Sequence, residues 1–267
     1  MNSNYGLSIK NADEKLFASG LFGCFEYCNV DFRIPGAYEK TVEDAKKLVC
    51  LSEKYGVKIR SYHLPFSDEG EMPFIPASLD ENIRNKTFEK TKELIGILAP
   101  CGIEIVVIHG SLRVLPEERE QKLNVFTDYI KNLCDFCKPL GIKVAVESLK
   151  PRCIGNSSDE LIRIMEGVNR DNVGICFDSN HLLFEDNTEF VNKAGKYIIT
   201  THLSDFDGDD EKHWYPGRGI NDWKSIVNAL CQKGYNGPWV FEVSFPDRIA
   251  TVEECRILID EWEKIFA

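Results

Sequence analysis

No apolar run in this chain reaches the roughly 18 residues that a membrane-spanning helix requires, so no membrane partner is expected. Basic charge is scarce as well: 32 Lys and Arg stand against 43 Asp and Glu, a formal net charge of −11. A surface of that sign repels a phosphate backbone. The densest basic pairs, Lys46-Lys47 and Arg163 with Arg170, sit among acids, so nucleic acid is not an expected partner either. Phosphate loops are missing: no Gly-x-Gly-x-x-Gly follows the first strand pattern and no Gly-Lys-Ser/Thr occurs. Met1 leads into Asn-Ser-Asn-Tyr, without the charged and apolar regions of a secretory leader, and the expected compartment is the cytoplasm. The 11 Pro and 19 Gly in 267 residues form no low-complexity tract, which excludes collagen-like and disordered architectures.

Cysteine is not scarce. Ten occur, but a chain this long and regular is no disulfide-stapled miniprotein. Cys101, Cys176 and Cys231 lie in apolar surroundings and read as small buried hydrophobes. Cys134 and Cys137 have a metal or redox spacing, yet they fall inside a helical pattern without a second pair, and core packing is the expectation.

Short β-branched runs alternate with helical patterns throughout. The expected strands are Tyr5–Ile9, Leu21–Tyr27, Val57–His63, Ile103–His109, Ile142–Glu147, Val173–Asp178, Tyr197–His202 and Trp239–Val243. Runs such as Ile105-Val106-Val107-Ile108 are apolar at every position, as parallel strands covered on both faces are. Between them, Val42, Ala45, Leu48, Val49 and Leu51 form one helical stripe, and Leu123, Phe126, Ile130, Leu133 and Phe136 another. Thr41 with Asp44, and Ser158 before Leu161, mark expected helix starts, while Gly56, Gly102 and Gly141 mark left-handed stops. A last helix is expected at about Val252–Ile265. Eight strand–helix repeats in one chain without a linker predict an α/β fold, a (β/α)8 TIM barrel, as a single domain over residues 1–267. An open doubly wound sheet is the alternative. The least regular stretch, Ser204–Asn221, follows the seventh strand and reads as a functional loop.

Histidine is sparse, with five in all, and its placement carries information. His63, His109 and His202 end strands, His181 follows one, and His213 sits in the irregular loop. Glu26, Glu147, Asp178 and Glu242 likewise terminate apolar runs. In a closed barrel these ends meet at one mouth, the face that carries active sites. Converging carboxylates repel and desolvate one another unless a cation neutralises them. Glu147, Asp178, His202 and Glu242 together make an oxygen/nitrogen donor set suited to one divalent ion, Mn²⁺, Mg²⁺, Co²⁺ or Zn²⁺, and lacking thiolate. Such an ion polarises a carbonyl and a neighbouring hydroxyl while carboxylates move a proton between them.

The order of these motifs is informative in itself. His109-Gly, Val-Glu147-Ser, Phe-Asp178-Ser-Asn-His181, His202-Leu-Ser-Asp205, Pro216-Gly217-Arg218-Gly219 before Asp222-Trp223, and Gly234-Tyr-Asn-Gly237 leading to Phe-Glu242 resemble the xylose-isomerase-like TIM-barrel superfamily, from about residue 5 to 265. That superfamily contains sugar-phosphate isomerases and epimerases and also endonuclease IV. The resemblance to ketose 3-epimerases implies Glu147, Asp178, His202 and Glu242 as metal ligands, with Glu147 and Glu242 doubling as the acid/base pair and His181 on substrate oxygens. His63 and His109 match positions that hold further zinc in endonuclease IV and otherwise face the substrate. Glu211-Lys212-His213 stands at that enzyme's Asp-Arg-His, which keeps a three-metal arrangement open. The residues after Glu147 (Ser-Leu-Lys) and after Asp178 (Ser-Asn) depart from the nuclease pattern.

Trp214 and Tyr215 either wall a sugar pocket or anchor the loop, and Arg218 and Arg113 either hold a phosphate or sugar oxygen or stay solvated. Phe22, Phe25, Phe32 and Phe66 line the site or fill the barrel, with core favoured for Phe22. Glu26, His63, His109, His181, His213, Trp214 and Arg218 are thus the substrate-binding candidates. The expected activity is a metal-dependent sugar or sugar-phosphate isomerase or epimerase on a small-molecule substrate, in a homodimer or homotetramer. The alternatives are an endonuclease IV-like phosphodiesterase, a polyol or inosose dehydratase, and a non-catalytic binding barrel.

Overall fold

Strand alternation decides which way each site residue points. In the computed structural model, which describes residues 4–28, 34–67, 74–111, 113–181 and 185–267, the strands are β1 (Tyr5–Ile9), β2 (Cys24–Cys28), β3 (Lys58–His63), β4 (Ile105–Ile108), β5 (Lys143–Glu147), β6 (Val173–Asp178), β7 (Ile198–His202) and β8 (Trp239–Phe241). Phe32 lies outside the described residues. Helices α1 (Glu14–Ala18), α2 (Ala37–Tyr55), α3 (Glu81–Leu98), α4 (Arg119–Cys137), α5 (Ser158–Val168), α6 (Asn187–Ala194), α7 (Trp223–Gln232) and α8 (Val252–Phe266) follow the strands in turn.

The sheet runs β7-β6-β5-β4-β3-β2-β1-β8, and every ladder in it is parallel. Closure comes from one residue beyond β7. Leu203 N donates to Val240 O at 2.8 Å, and Glu242 N donates to Leu203 O at 3.2 Å. The result is the expected eight-stranded barrel sheathed by helices.

Two hydrophobic clusters separate the inside of the barrel from its sheath. Ile105, Val107, Ala145 and Cys176 form a small cluster of strand residues alone. Residues of the other parity, such as Val106 and Ile108, join the large cluster that includes Leu48, Leu94, Ile130 and Leu230 from the helices. Because side chains alternate along a strand, the residues two positions beyond the inner cluster also face the lumen. Those residues are His109 after Val107, Glu147 after Ala145, and Asp178 after Cys176. The apolar plug forms the floor of the barrel and the polar ends form its mouth.

Gly56, Gly102 and Gly141 all carry the left-handed backbone expected of helix stops, with φ of 65°, 76° and 72°. Two helix starts differ from the sequence reading. The first turn of α2 begins at Ala37, and Thr41 lies inside the helix with its hydroxyl donating to Ala37 O at 2.9 Å. A threonine satisfied this way needs no cap position. The cap of α5 is Ser157, whose side chain accepts from Glu160 N, so Ser158 is the first helical residue. Strand β2 begins at Cys24 rather than Leu21, and Phe22 is core, packed against Phe25 with ring centroids 5.7 Å apart. Cys134 and Cys137 are fully buried, and burial pushes both thiols up to about 12. Cys101 and Cys176 are buried as expected, whereas Cys231 is exposed in the last turn of α7. No helix among the described residues is long and apolar enough to cross a membrane.

Candidate active site

Glu147 is the centre of the mouth. Its Oε2 lies 2.9 Å from His63 Nε2 and 2.7 Å from His109 Nε2, and its Oε1 lies 2.9 Å from His202 Nδ1. His202 Nδ1 is also 3.1 Å from Glu242 Oε2 and 3.9 Å from Asp178 Oδ2. One ligand atom each from Glu147, Asp178, His202 and Glu242 fall within 4.8 Å of one another. Two further triads, His63 with Glu147 and His202, and His181 with Glu211 and His213, meet the same limit.

The orientation of His202 is set from behind. Its Nε2 faces Glu26 Oε1 at 2.8 Å, while Glu26 Oε2 accepts from the Ser61 hydroxyl at 2.8 Å. The contact is one of charge rather than a hydrogen bond, since neither atom has a hydrogen-bond partner among the described residues. A carboxylate beside Nε2 favours a proton on that nitrogen when a cation occupies the other side. Nδ1 then points into a cluster of carboxylate oxygens, which is the arrangement of a metal ligand. His63 behaves alike. Its Nδ1 is 2.8 Å from Leu64 O, so Nδ1–H donates there and Nε2 is left facing Glu147. His181 Nδ1 meets Ser148 O at 3.0 Å, and His213 Nδ1 meets Glu242 O at 3.0 Å.

The electrostatics show the same imbalance. Asp178 Oδ2 is buried with no hydrogen-bond partner among the described residues. Burial, reinforced by the charges of Glu147 and Glu242, pushes the Asp178 carboxyl well above the usual carboxylate range. Burial would also raise Glu147 and Glu242, but the imidazoles around them (His109 and His202 for Glu147, His202 and His213 for Glu242) hold both below it. Burial would lower His202, yet the carboxylates of Glu26, Glu242 and Glu147 draw it well upward. An orphaned carboxylate oxygen aimed at others of its kind is the donor set that a divalent cation satisfies.

A cavity of about 140 Å³ opens above this centre. His63, His109, Glu147, His181, His213 and Glu242 reach it, and Phe66, Leu149, Lys150, Cys153 and Glu211 complete its lining. Phe66 stacks on the His109 ring with centroids 4.2 Å apart. Glu147 is 1% exposed and Glu242 is 22% exposed, so the second opens more freely to the cavity. Glu26 sits behind His202 rather than on the cavity wall. Two other candidates also lie off this wall. Arg218 forms a two-pronged ion pair with Glu261, both contacts at 2.7 Å, and covers the Tyr215 ring. Trp214 pairs its backbone with Asp205 and is half-exposed.

Lys150 was not singled out by sequence reasoning, and Glu211 and Asp205 entered it only as members of motifs without a role of their own. Lys150 Nζ lies 2.8 Å from Glu211 Oε1, and Glu211 lies 3.4 Å from His181 Nε2. Asp205 is fully buried and accepts from Gly217 N, Asn221 N and Trp223 Nε1 at 2.9, 3.1 and 2.9 Å. It thereby ties the loop that carries Glu211 and His213 to the start of α7. Gly219 makes the tie possible: a Cβ there would meet Phe206 O at 2.2 Å and Asp205 Oδ1 at 2.4 Å.

Fold and site define a TIM barrel with a carboxylate–imidazole centre at its C-terminal mouth. The chain belongs to the Xylose isomerase-like TIM barrel family, whose pattern matches residues 17–260. It is 28% identical over 212 residues to an uncharacterized protein of Methanocaldococcus jannaschii, covering 76% of this chain and 70% of that one. It is 28% identical over 178 residues to an inosose isomerase of Bacillus subtilis, spanning 63% of this chain and 64% of that relative. A ketose 3-epimerase of Arthrobacter globiformis is 28% identical over 142 residues, 52% of this chain and 47% of that one. Among solved structures, a D-tagatose 3-epimerase-like protein superposes with a TM-score of 0.79 at 23% identity, covering 98% of both chains. An IolI protein with a bound zinc atom gives 0.76 at 21% identity, covering 97% of both.

Proposed function

We propose that the protein is a divalent-metal-dependent isomerase or epimerase of a sugar or sugar-derived substrate, moving a proton next to a carbonyl. The observation that carries this reading is the convergence of Glu147, Asp178, His202 and Glu242 within 4.8 Å, beside a cavity onto which both glutamates open. Relatives named inosose isomerase and ketose 3-epimerase support the substrate class. The zinc of the IolI neighbour supports the presence of a metal.

Those four side chains would hold the ion, which when bound supplies Lewis-acid polarisation of a carbonyl and an adjacent hydroxyl. The remaining work falls to the chain. Glu147 and Glu242 come from β5 and β8 and approach the cavity from different sides, so one removes the C–H proton and the other returns one to the opposite face. Their imidazole neighbours keep both ionised in the resting state. His63, His109 and His181 line the cavity, and their rings would reach substrate hydroxyls by exchanging present contacts with Glu147 and Ser148. Phe66 and Leu149 supply the apolar wall that excludes water and strengthens these contacts.

The test is solvent exchange. With Mn²⁺ present, the protein is incubated in D₂O with free ketoses, ketose phosphates and inososes, and the C–H signal beside the carbonyl is followed by proton NMR. Exchange at that carbon in at least one class is expected. Absence of exchange across all three overturns the reading.

A further inference from the structure

A second pocket, of about 340 Å³, opens at the same mouth between the chain after β1 and the chain after β8. Lys10, Asn11 and Asp13 line one side, and Ser244, Phe245 and Arg248 line the other. After β8 its lining begins at Val243, the residue after Glu242 of the catalytic cavity. Leu7 pairs with Phe241, so one residue further along each strand brings Ser8, which also lines the pocket, level with Glu242. Ser244, two residues past Glu242, donates its N–H to His213 O at 2.7 Å. The pocket therefore lies alongside the position that a reacting carbon at Glu242 would take.

The chemistry of the pocket is cationic. Neither the Lys10 ammonium nor the Arg248 guanidinium has an ion pair or hydrogen bond among the described residues. The Asp13 carboxylate, which accepts from Lys15 N at 2.9 Å, offsets one of these two charges and leaves the lining with a net positive charge. Arg248 is held in place at some cost. Asp247 and Arg248 are consecutive non-glycine residues in the left-handed region, with φ of 52° and 58°. Such a pair is uncommon and persists where the surroundings enforce it. Here the turn is held by Arg248 N to Phe245 O at 3.0 Å and Ile249 N to Pro246 O at 3.1 Å. Arg218, one of two arginines for which the sequence left a phosphate or sugar oxygen open, is instead occupied by Glu261.

We propose that this pocket binds the non-reacting end of the substrate and that the group it takes is a phosphate ester, which narrows the substrate class to a phosphorylated ketose. A guanidinium fork and an ammonium suit the several acceptor oxygens of a phosphate, and Asn11 and Ser244 add polar partners. The inference rests on the isomerase or epimerase reading above for its reacting end. The pocket itself does not.

The test therefore begins with binding. Inorganic phosphate and a hexitol 6-phosphate, which has no carbonyl, are titrated into the full chain and followed by phosphorus NMR, with and without chelator. The chelator arm removes any phosphate held through a metal at Glu147 and Glu242. Binding in both arms is expected, weakened about tenfold for each single variant Lys10→Gln and Arg248→Asn and further in the double variant; asparagine tolerates the left-handed backbone. No binding, or binding undiminished in the folded double variant, overturns the pocket. Tighter binding of a hexuronate than of the hexitol phosphate overturns the choice of phosphate. Solvent exchange then separates the two claims. Phosphate binding without exchange on any ketose leaves the pocket standing and removes the isomerase reading. Exchange on free ketoses alone, without phosphate binding, does the reverse.

Discussion

Glu26 Oε1 and His202 Nε2 lie 2.8 Å apart on the side of the imidazole away from Glu147. The contact is closed off from solvent, because both side chains are fully buried. Glu26 thus acts on the centre without reaching the cavity, through its charge beside Nε2 rather than through a hydrogen bond. Replacing Glu26 with Gln keeps the shape but removes that charge. Metal affinity should fall by about 10- to 100-fold, as is typical when a ligand histidine loses its partner. Metal titration followed by calorimetry, with circular dichroism as a check on folding, measures it.

Asp178 makes the opposite prediction for the metal-free protein. Its buried, unpartnered oxygen is a cost until a cation arrives. The Asp178→Asn variant should unfold no lower than the parent in chelator, yet gain nothing when a divalent ion is added. A ligand at about 100 times its Kd stabilises by about 2.7 kcal/mol, which for a chain of this size is about 5 to 10 °C. Thermal melts with and without metal check both halves. A metal-dependent rise that survives in the variant removes Asp178 from the ligand set.

Glu147→Gln and Glu242→Gln should each lower turnover by roughly 10² to 10⁴-fold, the usual contribution of a positioned acid or base. One of the two is expected to retain exchange of substrate hydrogen with solvent, since removal and return of the proton are separate acts. Near-native turnover in both variants would exclude a two-base reaction and favour a hydride shift.

His63→Ala and His109→Ala separate one metal from three. Both rings lie within 3 Å of Glu147 Oε2. If they serve substrate, KM rises and elemental analysis still finds one ion per chain. If they hold further metal, the content itself drops. The first result is expected.

Asp205→Ala should strip four N–H donors (Phe206 N, Gly217 N, Asn221 N and Trp223 Nε1) of their acceptor at once and loosen the loop after β7. The expected signature is faster proteolysis within residues 206–221 and a fall in kcat/KM, with the barrel's far-ultraviolet spectrum preserved. Gly219→Ala should give the same signature by a different route, because its new methyl group would collide with Asp205 and Phe206.

Much of this architecture was legible in the residues. Continuous apolar runs ending in a charged group mark a strand covered on both faces whose last side chain reaches the mouth. That pattern located Glu147 and Asp178 directly, while His202 was placed by the end of its strand. Glycines at Gly56, Gly102 and Gly141 marked helix ends because only their backbone accommodates the turn. What was not legible depends on contacts between distant segments. Lys150 and Glu211 are ordinary loop charges until the barrel brings them to 2.8 Å. Arg218 looked available until α8 placed Glu261 against it. Glu26 shows strand-end position but not depth, so its place behind His202 required the packed barrel.

The barrel has a weak side. Between β7 and β8 no strand ladder forms, and the two are joined through Leu203, one residue past His202. His202 and Glu242 flank that join, one on each margin. An ion gripped by both would act as a rivet across the seam, so that occupancy of the site and the mechanical integrity of the ring become a single property. Amide hydrogens of Leu203 and Glu242 should then exchange with solvent more slowly when metal is present, while those of β4 and β5, on the far side of the ring, stay unchanged. The same rivet would give the chain a reason to place its ligands at the last closure of the barrel.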